Sequence, residues 1–292
     1  MKSVTFVFSL LISYFSYPQG LLDGFMVGKN TIVSAVSYSQ ESFDTYFVGN
    51  ISTQNGNLGT INTNSLNLFV AGGITDYLDI VLSIPYIKAQ SSQGFWSEQN
   101  DFQDISIFLK GKFLEHSISS KSKITLLGAF GIITTISDYI ADAPVSIGNQ
   151  STQLESRMIV QLRKTNGYFI NAQLGYSKRN NIKVDTGLEV NVPDAYDFIL
   201  RSGKSFKLLY LDAWLQYQNS RSGTNIGPGV PFPSNEIDFT RVGFTVYHPI
   251  PKIKNLGLAI STGFTLDGKN IGKSNRLTAS LVYRFSDKNI TQ

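Results

Sequence analysis

The feature that most constrains this chain is an apolar/polar alternation of period two, repeated in long segments along its length. In residues 104–113, Ile105, Ile107, Leu109, Gly111 and Phe113 form one set, and Asp104, Ser106, Phe108, Lys110 and Lys112 the other. Successive side chains of a strand point to opposite faces, so each set belongs to one face of a sheet. Residues 154–163 set Leu154, Met158, Val160 and Leu162 against Glu155, Arg157, Gln161 and Arg163. Residues 196–201 set Tyr196, Phe198 and Leu200 against Asp197 and Arg201. Residues 208–218 set Leu209, Leu211, Ala213, Leu215 and Tyr217 against Asp212, Trp214, Gln216 and Gln218. The last segment sets Leu277, Ala279, Leu281, Tyr283 and Phe285 against Arg276, Thr278, Ser280 and Arg284. Further strands fall near 31–40, 60–72, 78–88, 123–135, 168–177, 236–247 and 256–266. The count is about twelve, within a range of about 10 to 14.

These segments run about 10 to 13 residues, roughly twice the usual globular strand. A transmembrane β-strand needs about 9 to 11. The apolar face often begins or ends in an aromatic, as at Tyr86, Phe113, Tyr168, Tyr176, Tyr196, Tyr217, Tyr247 and Phe285. Tyr168 and Tyr176 would stand about 27 Å apart along a strand, or about 20 Å along the membrane normal at a tilt near 40°. Two aromatic girdles flanking an apolar band of about 25 Å have this spacing.

The connections alternate in length. Short ones are expected at 73–77, 114–122, 164–167, 203–205 and 248–255. Long ones are expected at 41–58, 89–101, 136–151, 178–193, 219–235 and 267–274. Short periplasmic turns, long external loops and an even strand number mark an outer-membrane barrel. The expected fold is therefore all-β, a transmembrane antiparallel up-and-down β-barrel with both termini in the periplasm. In GITDYLDIVLSIPY (73–86), Leu78, Ile80, Leu82, Ile84 and Tyr86 then face lipid, while Asp79 and Ser83 face the lumen. Lipid cannot satisfy backbone donors, so the sheet must close. Pro85 is expected near the upper rim, where pairing ends or a bulge sits.

Three regions divide the chain. Residues 1–19 read as a signal peptide: Lys2 precedes the apolar run Val4–Phe15, which is too short to span a bilayer. Residues 20–285 form the barrel, and 286–292 a periplasmic tail. Only about ten residues separate the expected cleavage site from the first strand, too few to plug the barrel unless residues 40–58 fold inward. The absence of cysteine excludes disulfides and thiolate metal sites. The net charge of +4 is not gathered into an aromatic-interleaved basic patch, so no nucleic-acid partner is expected.

GITDYLDIVLSIPY, followed by DFQDISIFLKGKF (101–113), resembles the outer-membrane family labelled for the meta-pathway of phenol degradation. Members carry a Gly-Leu-Thr-Asp-x-Leu-Asp turn and a strand ending in Pro-Tyr, then a Gly-Asp and a strand ending in Lys-Tyr or Lys-Phe. The final strand LTASLVYRF (277–285) also fits, and the resemblance spans most of residues 31–285. Gln103 stands where the family usually has Gly before Asp104. The resemblance implies a barrel distantly similar to transporters of fatty acids and aromatic hydrocarbons.

Catalysis is not expected. The only histidines, His116 and His248, fall in predicted periplasmic turns, so no histidine stands near the lipid-facing wall or outer rim to take a serine proton. No cofactor or metal site is expected either. The lumen candidates are Asp79, Asp104, Lys110, Lys112, Arg157, Gln161, Arg163, Asp197, Arg201, Asp212, Arg276 and Arg284, with Gln216, Gln218, Phe69, Phe108 and Trp214 also pointing inward. They read either as a mixed-charge permeation path or as a salt-bridge network filling the barrel, because twelve strands lie between filled and open sizes. Phe95, Trp96 and Phe232 are candidates on the extracellular loops. The functional expectation is a passive transporter or channel for small hydrophobic or aromatic molecules in the outer membrane of a Gram-negative bacterium, reached through the periplasm. The alternatives are a structural or surface-binding barrel with a filled lumen, or a narrow pore for polar solutes. Expected partners are outer-membrane lipid and lipopolysaccharide, the barrel-assembly machinery and a small hydrophobic ligand.

Overall fold

The computed structural model describes residues 22–96 and 98–286. The expected signal peptide and tail residues 287–292 lie outside the described residues. Twelve strands form the wall: β1 (Thr31–Phe43), β2 (Ile61–Gly73), β3 (Leu78–Ser91), β4 (Asp104–Ser119), β5 (Ser122–Thr135), β6 (Gln153–Lys164), β7 (Tyr168–Arg179), β8 (Ala195–Ser205), β9 (Tyr210–Ser220), β10 (Asp238–Pro249), β11 (Leu256–Lys269) and β12 (Asn275–Ser286). Each strand pairs antiparallel with its neighbours in sequence. β12 returns to β1, from Thr31↔Ser286 to Ser42↔Asn275, and closes the cylinder. Closure leaves no wall strand with an open edge facing lipid, as the bilayer demands.

The period-two pattern decides which way each side chain points. Ile80, Ile107, Leu109, Ile170, Leu200, Leu215 and Leu281 are exposed on the outer surface, while Asp79, Ser106, Lys110, Asn171, Arg201 and Ser280 are buried within. Such an outer surface would be insoluble in water and is matched to lipid. Tyr38, Tyr86, Tyr196 and Tyr217 ring it towards the long-loop end, and Phe113, Tyr168, Phe206 and Phe285 towards the short-turn end.

Two expected turns are corrected. The 114–122 segment is not a turn, because β4 and β5 continue to Ser119↔Ser122. A register shift between Lys112 and Leu114 leaves both Phe113 and Leu114 outward and hides the continuing alternation. Residues 203–205 belong to β8, and the turn lies at 206–209, closed by the Phe206 N–H to the Leu209 carbonyl at 2.7 Å. Pro85 sits at a bulge, as expected, but β3 runs six residues past it to Ser91. The short strand Gln99–Phe102 pairs with Tyr86–Ala89, whereas β4 pairs with Leu78–Ser83. Between them Gln103 donates its N–H to the Pro85 carbonyl at 2.9 Å. In an antiparallel strand a residue's N–H and C=O face the same neighbour, so the donor Pro85 lacks is the one owed to β4. The ladder is interrupted at that point.

The long connections are packed together at the opposite end from the short turns. The hairpin Thr45–Val48/Ile51–Gln54 is stitched to the 270–274 loop by Phe47 N–H to Ile271 O and Lys273 N–H to Thr45 O, both 2.8 Å. Asn270 accepts from the backbone N–H groups of Gly49 and Ile226 and donates to the Thr224 and Glu236 carbonyls. In the 136–152 loop Tyr139, Ala141, Ala143, Val145 and Ile147 are buried on alternate positions.

Candidate functional site: a stoppered lumen

Residues 22–30 turn into the barrel, contrary to the expectation that this segment is too short to plug it. Nine residues suffice because they only have to stop the short-turn end, not fill the cylinder. Asp23 forms an ion pair with Lys110 at 2.9 Å, and the same Lys110 Nζ donates to the Phe25 carbonyl at 2.5 Å. Asp79, fully buried, accepts the Val27 N–H on Oδ2 at 2.9 Å and lies 3.5 Å from Lys110 Nζ. Gln173 donates to the Leu22 carbonyl at 3.3 Å, and Arg284 to the Val27 carbonyl at 3.1 Å. A side chain at Gly24 would collide with Gln161 and Asn171, so glycine allows the segment to lie against the wall. Gly28, at φ +89°, turns the chain out of the lumen into β1, where any side chain would be strained.

Between these polar contacts the wall packs apolar side chains against the stopper. Ala71, Val81, Phe108, Leu127 and Ile159 pack against Leu22, Met26 and Val27. On the other side Val33, Phe169, Tyr210, Tyr247 and Val282 pack against Phe25 and Val27. The Phe25 ring meets Phe169 edge-on at 5.3 Å, and Phe169 stacks on Tyr210 at 5.6 Å.

Above the stopper is a cavity of about 570 Å³ whose floor includes Leu22 and whose wall includes Phe69 and Trp214. Five arginines line it, Arg157, Arg179, Arg201, Arg241 and Arg276, against the carboxylates Glu41, Glu155 and Asp197. Arg157 is held by Glu155 at 2.8 Å and Asp197 at 2.7 Å. Arg241 and Arg276 share Glu41. Arg201 Nη1 pairs with Asp212 at 3.0 Å, whose Oδ2 also accepts the Tyr210 hydroxyl at 2.5 Å. Arg179 has no carboxylate within ion-pair distance among the described residues; it bonds Gln153 and the Pro193 carbonyl. Many wall hydroxyls bond one another, as in Ser37–Ser280 at 2.8 Å, Ser39–Thr278 at 2.9 Å and Thr265–Ser274 at 3.1 Å.

The sequence candidates therefore separate by height. Arg157, Asp197, Arg201 and Arg276 line the cavity, with Asp212 behind Arg201. Asp79 and Lys110 hold the stopper, and Gln161 packs beside it. Arg163 lies over the Phe25 ring at 5.8 Å, Lys112 over the Tyr77 ring at 4.9 Å, and Arg284 on the Val27 carbonyl, all at the short-turn end. Asp104 does not line the cavity. It accepts the Tyr139 hydroxyl at 2.8 Å and so holds the 136–152 loop; burial, then the adjacent Asp104 charge, push the Tyr139 phenol pKa well up. Phe95 is fully exposed and Trp96 half so on the 92–98 loop, while Phe232 lies in a one-turn 3₁₀ helix whose first N–H reaches Asp142 at 2.9 Å. His116 is exposed at the short-turn end, and His248 Nδ1 lies 2.6 Å from the Leu208 carbonyl.

Sequence reasoning missed Glu41, Arg179, Arg241 and the stopper. Glu41 and Arg179 fall in segments expected to be loops, although β1 runs on to Phe43 and the inward alternation of Ser37 and Ser39 continues to Glu41. Arg241 lies beside a register shift at Thr240/Arg241 that blurs the pattern of β10.

No family model matches the chain, and no curated protein does. Among solved structures it resembles an outer-membrane channel from Pseudomonas putida F1, at 14% identity over 92% of this chain and 100% of that one, with a TM-score of 0.74. It also resembles the NanC porin, at 7% identity over 86% of this chain and 98% of that one, with a TM-score of 0.51. The likeness is one of fold. This chain is a closed antiparallel β-barrel of the outer-membrane type.

Proposed function

We propose that the protein is a passive outer-membrane channel for small apolar or aromatic molecules. One observation carries the reading: beneath the charged cavity, two apolar patches of the wall, Val81, Phe108, Leu127 and Ile159 on one side and Val33, Phe169 and Val282 on the other, close on Leu22, Phe25, Met26 and Val27 of the stopper, between the polar contacts of Asp79, Lys110, Gln173 and Arg284. The interior of a transmembrane barrel is ordinarily polar. While the stopper is docked, a hydrated ion would have to shed water to cross the constriction it makes with these patches, and apolar constrictions close by dewetting. An aromatic solute meets no such barrier once the stopper moves. The fold shared with the Pseudomonas putida channel supports a conducting role, and the lipid-matched outer surface supports an outer-membrane location. The ion pairs of Arg157, Arg201 and Glu41 favour a second reading, a filled structural barrel.

Accumulation of radiolabelled toluene in cells with and without the gene separates the two. The channel reading expects saturable uptake that falls on deletion and returns on complementation. Unchanged uptake of toluene and of other apolar compounds would leave the structural reading.

A further inference from the structure

The cavity lining sets side by side an arginine with a buried Nε–H that has no partner among the described residues and an indole in a built recess. Arg201 and Trp214 are direct cross-strand partners on β8 and β9. The Arg201 side chain is 7% exposed, and its Nη1 is engaged by Asp212. Its Nε–H is buried with no partner among the described residues, and no bond there engages Nη2. Nε and Nη2 form the side-on edge of the guanidinium, the fork that grips a carboxylate with two parallel bonds. A buried donor left without a partner is costly, so an acceptor that reaches it strengthens binding.

Trp214 extends along the wall rather than across the lumen. Its cross-strand partner is Gly243, and Gly243 pairs in turn with Gly263. A side chain at Gly243 would collide with the indole, and one at Gly263 would stand 3.3 Å from it. The two glycines thus make a shelf for the six-membered ring, and Trp214 remains part of the cavity lining. A flat aromatic surface set against a wall is a stacking platform.

From this juxtaposition we propose that the cavity binds a small aromatic carboxylate, with its carboxylate on the Arg201 fork and its ring on Trp214. The proposal rests on the channel reading and narrows its substrate class. The volume of about 570 Å³ lies within the usual range for small-molecule sites. Arginines outnumber carboxylates in the lining, which favours an anion. A sugar acid would also offer a carboxylate and a stacking face, but it needs many directed hydrogen bonds. Much of the hydroxyl and amide complement that would make them is already engaged within the wall: Ser37 with Ser280, Ser39 with Thr278, Gln216 with Asp197.

The test is isothermal titration calorimetry of the full chain in detergent micelles with sodium benzoate, benzyl alcohol and sodium glucuronate. Benzoate is expected to bind saturably, and the neutral ring and the non-aromatic acid each at least tenfold more weakly. R201K keeps a cation beside Asp212 but removes the fork, and should weaken benzoate at least tenfold. W214L leaves the ion pairs untouched, should do the same, and keeps the proposal testable if R201K does not fold. No saturable benzoate binding, equal affinity for glucuronate or benzyl alcohol, or wild-type affinity in the folded variants would each overturn the site. Those results leave the uptake test of the channel reading standing. Tight benzoate binding with failed uptake would sink that reading and not the site.

Discussion

Replacing Lys110 by Met should open the barrel. Lys110 Nζ is the shared cation of Asp23 at 2.9 Å and Asp79 at 3.5 Å and donates to the Phe25 carbonyl at 2.5 Å. Its side chain is 3% exposed and that of Asp79 is not exposed at all, so solvent screens little of this cluster. Removing one partner of a buried pair costs about 3–5 kcal/mol, because the other charge is left uncompensated. Here that cost falls on the docked stopper. Undocking brings water to Asp79, and Asp23 leaves with the segment, so the penalty is relieved when the lumen opens. A shift of about 3 kcal/mol in the docking equilibrium is roughly a hundredfold rise in the undocked fraction. Single-channel recording in planar bilayers reads that fraction directly. Wild type should be closed apart from rare openings, and K110M should show openings about two orders of magnitude more frequent or longer. Heat-modifiable mobility on gels verifies that both barrels are folded. A folded K110M barrel as silent as wild type would refute the idea that this cation holds the stopper.

Three smaller expectations follow from the same contacts. Y139F removes the hydroxyl that donates to the buried Asp104 carboxylate, and should cost about 1.5–3 kcal/mol, read as faster proteolysis of the 136–152 loop with the barrel intact. G243A should dislodge the Trp214 ring, seen as a shifted tryptophan emission spectrum in a W96F background where Trp214 is the only tryptophan, and should cost about 1–3 kcal/mol in unfolding. Asp194, in the loop before β8, has its pKa lowered: burial acts upward but is outweighed by the Arg179 N–H, Tyr176 and Lys178 donors. Its contribution is present above the ordinary aspartate pKa of about 3.9 and is lost as pH falls through the lower folded value. Cleavage within 180–194 should therefore accelerate in acid for wild type and be pH-independent for D194N.

The wall was legible because lipid outside and polar groups inside impose opposite demands on alternate residues. Ile107 and Lys110, or Leu215 and Trp214, declare their faces without reference to any other strand. The site was only half legible. Inward residues such as Asp79 and Arg157 could be picked out, but height in the barrel depends on register, which alternation alone does not set. Asp104 and Asp79 read alike in sequence; one holds an outer loop and the other the stopper. The stopper itself has no periodicity. Its signal is complementarity between the short LDGFMVGKN segment and a lumen whose apolar inner residues, Phe108 among them, are unusual for a water-filled pore.

The most direct test of the account is to lock the stopper in place. The chain has no cysteine, so a G24C/N171C pair introduces one disulfide between residues whose side chains would meet. Toluene accumulation is then compared in cells carrying the oxidised and the reduced barrel. The account predicts that oxidation abolishes saturable uptake and reduction restores it. Equal uptake in both states would mean that aromatic molecules do not leave through the stoppered end of the lumen.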